Sequence, residues 1–225
     1  MCVLTYIPLK NGEISITHNR DEHIFRPKAI LPQTYSINGR DVIFPKDPQG
    51  GGTWFGIHQE WVCCLLNGGF VNHTRKQNYS RSRGTIITDF FQNPDIQDFI
   101  NRFDSHEIEP FTLLIFNIET KQIVQFVWDE NILNIQHLDA SKAHIWSSST
   151  LYDSKVKANR ALIFKQFIAA QPNVNQIMDF HRLNIDNNPQ NGFFVNLEET
   201  IKTVAITQVS GKTNALKMVY KDFYQ

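Results

Sequence analysis

Residues 2–23 read CVLTYIPLKNGEISITHNRDEH. Two strand-like runs, 2–8 and 13–18, flank Asn11-Gly12, a dipeptide that strongly marks a two-residue hairpin turn. With that turn Lys10 pairs with Glu13 and opposed residues sum to 23, so Cys2 falls opposite Asp21 and Leu4 opposite Asn19. Directly opposed side chains share a face, with Cβ atoms about 4.5–5.5 Å apart. The expected arrangement therefore sets the Asp21 carboxylate beside Cys2 and turns Arg20 to the other face. A slip of one residue undoes it.

Outward from this hairpin, residues 30–37, 53–58 and 61–66 read as strands, the last apolar enough to be buried on both faces. Residues 111–118, 121–128 and 131–137 read as a meander, and 202–209 and 213–220 as two closing strands around Ser210-Gly211. Helical periodicity is confined to 82–103 and 153–182. In the first block Ile86, Ile87, Phe90 and Phe91 form one apolar set. Asn93-Pro94 ends it and caps a second helix carrying Ile96, Phe99, Ile100 and Phe103. In the second block Asp153 or Ser154 caps a helix striped by Val156, Ile163, Phe167 and Ala170, and Pro172 separates it from a shorter helix at 174–182. Strand block, helix pair, strand block, helix pair and final strands fit an α+β fold: two antiparallel sheets face to face with helices outside. No repeat or linker interrupts residues 1–225, which are expected to form a single domain.

Composition excludes several classes. The 225 residues carry 22 Lys and Arg against 22 Asp and Glu, which argues against a nucleic-acid partner. At 41% hydrophobic and 12% aromatic the chain is far from disorder-prone. No leader precedes Cys2, and no run approaches the ~18 apolar residues of a membrane helix, so a cytoplasmic location is expected. Of three cysteines two are adjacent, which suits no disulfide framework.

The third cysteine carries the chemistry. A residue as small as Cys2 lets an aminopeptidase remove Met1, leaving a thiol and a free α-amine on one residue. An α-amine with a pKa of about 7.7–8.0 serves as a base at neutral pH, and a thiol beside a base is an activated nucleophile. Against this stands an ordinary reading, a small hydrophobe near the start of a strand.

The run Thr17-His18-Asn19-Arg20-Asp21-Glu22 with Arg26-Pro27 resembles the signature of the NRDE family, also called the transport and Golgi organisation protein 2 family. The resemblance takes in Met1-Cys2, Asp47 with Gly51-Gly52-Thr53-Trp54-Phe55-Gly56, Leu66-Asn67, Ser82-Arg83-Gly84, and Ser147 to Leu151 followed by Asp153 and Lys155. That family is similar to the N-terminal nucleophile (Ntn) hydrolases, above all penicillin V acylase and bile-salt hydrolase. The resemblance implies a four-layer αββα sandwich, Cys2 as nucleophile, Arg20 and Asp21 tuning its thiol and amine, and Asn67 offering an amide to an oxyanion. Asn19, Trp54, Ser148 and Arg83 are the expected substrate-binding residues. Two positions depart from the acylase pattern: Arg20 and Asp21 are adjacent rather than separated, and Ser148 stands where a second asparagine is expected.

Two functions follow from the resemblance. One is hydrolysis of a non-peptide carbon–nitrogen amide bond in a small molecule, without a cofactor or metal. The other is a binding or trafficking factor on the same fold, handling a lipid or haem-like ligand. Gly50-Gly51-Gly52 lacks the Gly-Lys-Ser/Thr of a phosphate loop and reads as a tight turn into a strand. Arg75, Lys76, Arg81 and Arg83 precede a helix and read either as a solvated loop or as a site for a substrate carboxylate. Cys63 and Cys64 alternate faces and read as core. Neither a substrate nor an oligomeric state is written in the sequence.

Overall fold

The computed structural model describes residues 2–77, 79–150, 152–184, 192–197, 200–212 and 215–224, without the side chains of Cys2 and Asn11. Met1, Leu151 and the first two residues of the strand expected at 213–220 lie outside the described residues. The chain divides into two compact units, one of residues 1–26 and 139–225 and the other of residues 27–138.

The first unit is a six-stranded antiparallel sheet. It contains β1 (Cys2–Pro8), β2 (Ile14–His23), β10 (His144–Ser147), β11 (Asn196–Leu197), β12 (Ile201–Gly211) and β13 (Lys217–Asp222). Their order is β10-β1-β2-β12-β11, with β13 also on β12. Helices α3 (Ser154–Ala169) and α4 (Val174–Phe180) supply Phe164, Ile177 and Phe180 to a core with Val3, Ile7 and Phe193. Asp153 caps α3 by accepting the Val156 N–H, as expected. The stripe of α3 is largely as expected: Val156, Ile163 and Phe167 pack on this core, Arg160 and Phe164 are buried deepest beside them, and of the expected stripe Ala170 alone is exposed. Periodicity places position 160 on that face, but a charged residue there signals nothing until its partners are known.

The second unit is an antiparallel sheet of β3 (Ile30–Ile37), β4 (Arg40–Lys46), β5 (Phe55–His58), β6 (Trp61–Asn67), β7 (Phe111–Asn117), β8 (Gln122–Trp128) and β9 (Leu133–Leu138), in chain order. Helices α1 (Thr85–Gln92) and α2 (Ile96–Arg102) bury Ile86, Ile87, Phe90, Phe91 and Phe99 against Cys63, Leu65, Leu113, Ile115 and Phe126. Asp95, not Asn93-Pro94, caps α2 through the Asp98 N–H. Gly52 lies against the backbone of Gly84, where any Cβ would collide, while Gly51 turns the chain at φ 72°. The glycine run is thus a place of close backbone approach as well as a turn. The α+β class of two antiparallel sheets with flanking helices is as expected.

The hairpin corrects the expected register. Lys10–Gly12 forms a 3-10 turn, Gly12 takes φ 74°, and the Leu9 N–H donates to Glu13 O at 2.8 Å. A three-residue loop ending in a left-handed glycine replaces the two-residue turn. Opposed residues therefore sum to 22: Cys2 pairs with Arg20, Val3 with Asn19 and Leu4 with His18.

Candidate active site

In the first unit the Cys2 backbone lies directly opposite Arg20, not Asp21. On its other side β10 pairs Ser147 with Val3, so one step further along the same register sets Ser148 against the Cys2 position. Arg20 is 4% exposed, with Nη2 3.4 Å from Glu22 Oε2. These two residues share a strand face, and the alternation of β2 turns Asp21 to the other.

Asp21 is fully buried there. It accepts the Tyr152 hydroxyl at 2.9 Å and the Thr203 hydroxyl at 2.6 Å. Thr203 in turn accepts the Val195 N–H at 2.9 Å. The register between β2 and β12 shifts between Thr203 and Ala205, opposite Arg20 and Asp21, so a bulge helps aim these side chains. Burial pushes the Asp21 carboxyl up to about 6 despite both hydroxyl donors and the Arg160 charge. Arg160 is itself buried, with its guanidinium 3.7 Å from the centre of the Tyr152 ring and Nη2 donating to Gly192 O.

Asn19 lies on the same face as Asp21. Its amide donates to His181 O at 2.8 Å and Phe193 O at 2.7 Å, and its carbonyl is 2.6 Å from His181 Nδ1. His181 Nε2 is 2.8 Å from the Thr5 hydroxyl. With Nδ1–H donating to Asn19, Nε2 accepts from Thr5. Burial, with His18 nearby, pulls the His181 pKa down to about 3, so the ring is neutral. Asn19 is thus tied into the sheet–helix layer. Ser148 is buried, its hydroxyl 2.9 Å from that of Thr150.

In the second unit Asn67 ends β6 opposite Phe111 and is half-buried. Gly68 follows at φ 89°, its N–H donating to Pro110 O at 2.9 Å and its carbonyl accepting the Thr112 hydroxyl at 3.0 Å. This turn fixes the Asn67 backbone. Trp54 is buried, and Arg83 pairs with Glu109, Nη2 to Oε2 at 3.0 Å. The expected residues thus fall in two sets, Cys2, Asn19, Arg20, Asp21 and Ser148 in one unit and Trp54, Asn67 and Arg83 in the other. Sequence reasoning missed Tyr152, Arg160, His181, Thr203 and Glu109. Tyr152 alone had a signal, lying within the run Ser147 to Lys155.

The sequence matches Transport and Golgi organisation 2 over residues 1–214. The chain belongs to that family. No curated protein matches it. Among solved structures it is similar to the C2A mutant of conjugated bile acid hydrolase from Clostridium perfringens, at 10% identity and TM-score 0.52, covering 99% of this chain and 92% of that one. It is also similar to penicillin V acylase from Agrobacterium tumefaciens, at 9% identity and TM-score 0.51, covering 100% and 87% respectively. At this identity the likeness shows the fold alone, two antiparallel sheets with flanking helices, which this family member shares with them. No helix among the described residues is long and apolar enough to cross a membrane.

Proposed function

We propose that this protein is an Ntn-type hydrolase of a small molecule's non-peptide carbon–nitrogen bond, with Cys2 as nucleophile once Met1 is removed. The observation that carries the reading is Arg20 directly opposite Cys2. A guanidinium beside a thiol favours the thiolate, and the free α-amine takes the thiol proton. The sulfur bonds to the substrate carbonyl carbon as the carbonyl π electrons move to the oxygen, giving an oxyanion. The carbon–nitrogen bond breaks as the leaving nitrogen takes the proton from the ammonium, and water then hydrolyses the thioester. Asp21, on the other face, acts as a positioning residue that holds β2 through Tyr152 and Thr203 and so fixes Arg20. Ser148, one step along the β10 register, borders the nucleophile.

Support comes also from the two fold neighbours, whose names are those of hydrolases acting on conjugated bile acid and penicillin V. The family's description, transport and Golgi organisation, favours a second reading, carriage of a ligand without turnover. One experiment separates them. Cys63 and Cys64 are buried, and burial holds the Cys63 thiol well above its usual range, so iodoacetamide near pH 7 reports Cys2. Intact mass should show Met1 absent, and Cys2 should alkylate about tenfold faster than free cysteine, falling toward it in Arg20→Gln. Retained Met1, or a Cys2 no faster than free cysteine, ends the hydrolase reading.

A further inference from the structure

Strand β12 has two neighbours along its outer side. Lys202 and Ile201 pair with β11, and from Ala205 onward the strand pairs with β13. The change-over falls at the bulge between Thr203 and Ala205, and the sheet edge splits there. The Thr203 N–H donates to Val195 O at 3.0 Å on one branch, and the Phe223 N–H donates to Val204 O at 2.9 Å on the other. The split opens into a groove of about 700 Å³ walled by Phe25, Phe194, Phe223, Lys202 and Asp222. That volume is in the range of small-molecule sites.

The groove is built rather than incidental. The Tyr224 hydroxyl is shared between Ile24 O at 2.8 Å and Arg26 O at 2.6 Å, which ties the chain end to the start of the wall. Phe194 and Phe223 meet edge to face at 5.0 Å. Phe25 stands at the rim, 82% exposed, its ring 5.1 Å from that of His23. Among the described residues no ion pair or hydrogen bond holds the Lys202 ammonium, whereas Asp222 accepts the Tyr224 N–H at 2.9 Å. Lys202 is the one basic side chain among the described lining residues, and Arg182 stands 5.8 Å over the Phe223 ring, so the groove suits a flat apolar body carrying one anionic group. Asp222 disfavours a second.

We propose that this groove binds a planar aromatic monocarboxylate, its rings held by the phenylalanine walls and its carboxylate by Lys202. Strands β2 and β12 stand between the groove and β1, so the site is independent of any chemistry at Cys2.

Fluorescence titration of the full chain with anthracene-9-carboxylate tests it, against neutral anthracene-9-methanol and cationic 9-(aminomethyl)anthracene. The carboxylate should bind saturably and about tenfold tighter than the alcohol. Lys202→Gln should erase that preference, and Phe25→Ala should weaken both by about fivefold. Both positions are outside the core, and circular dichroism checks their folding. Cys2→Ala should bind as the unaltered protein does. The proposal is overturned by no saturable binding up to about 1 mM, by alcohol or amine binding as tightly as carboxylate, by a preference that survives Lys202→Gln, by indifference to Phe25→Ala, or by loss of binding in Cys2→Ala.

Discussion

Both units pack a helix pair on one face of an antiparallel sheet, yet the layers between helix and sheet are built from opposite materials. In the second unit the layer is dry and aromatic: Phe99 meets Phe90 at 5.8 Å and Phe126 at 5.4 Å, edge to face. In the first unit Asp21, Arg160, His181 and Asn19 are buried beside Phe164, Phe180 and Phe193. Buried ionisable groups seldom add net stability compared with apolar residues of the same size. The second layer therefore explains why its sheet holds together, whereas the first is costly for scaffolding alone. Its polar groups converge on the strand that carries Arg20 and Asp21. The difference separates a layer built for packing from one that fixes the strand of the proposed site.

The largest effect is expected where the dry layer is cut. Phe99→Ala removes a ring packed against three others and should lower unfolding free energy by about 3–5 kcal/mol in urea titration. A loss below about 1 kcal/mol would mean that this layer does not carry the sheet.

The polar layer gives a different kind of signature, a slope with pH. Asp21 binds its proton more tightly folded, at about 6, than unfolded, near 3.8, so its contribution is greatest below pH 4 and is lost as pH rises to 6. The shift of roughly two units amounts to about 3 kcal/mol. His181 behaves oppositely: the unfolded ring charges near 6.5, but the folded ring stays neutral down to about 3, so stability is lost as pH falls through that window. Between pH 4 and 6 the two slopes largely cancel. Stability of the unaltered protein should be nearly flat in that interval. It should fall with rising pH in His181→Gln and climb in Asp21→Asn, as read by urea midpoints at several pH values. Parallel curves for all three proteins would show that the buried groups are not ionising as their surroundings dictate.

Much of the scaffold was legible in the sequence because apolar spacing is local. The helix blocks and the meander of β7 to β9 follow from period alone. Strands β4, β10 and β11 were missed: β4 holds Arg40, Asp41 and Lys46 in a short run, β10 is four residues, and β11 is two. The Cys2 partner was misread because Asn-Gly supports both two- and three-residue loops, and one extra loop residue shifts every pair in the hairpin. Tyr152, Thr203 and His181 are brought to β2 from more than a hundred residues away, by pairing and helix packing that no local pattern encodes. Arg160 carries no signal of its own in the sequence, because only its partners make its burial tolerable.

The smallest effect tests where the second unit keeps its charges. One cluster stands outside the aromatic layer, on the segment 68–84 between β6 and α1: three of its basic side chains gather on Glu109, while Lys76 reaches Glu130 at 2.8 Å and Arg81 pairs with Asp89. Glu109 Oε2 lies 3.0 Å from Arg83, and its Oε1 lies 3.5 Å from Arg75 and 3.8 Å from His73. The Arg75 side chain is 77% exposed, so most of the tie comes from Arg83 and the stability at stake is about 1 kcal/mol. Glu109→Gln keeps the side chain's shape and removes its charge. The sheet should therefore survive while the segment opens more often, and trypsin should cut after Arg75 and Lys76 about five- to tenfold faster. High salt should speed cleavage of the unaltered protein more than that of the variant, which keeps the Lys76–Glu130 and Arg81–Asp89 pairs but lacks the Glu109 charge. If cleavage is indifferent to both, packing rather than charge fixes the segment, and the second unit is apolar in its fastening as well as in its core.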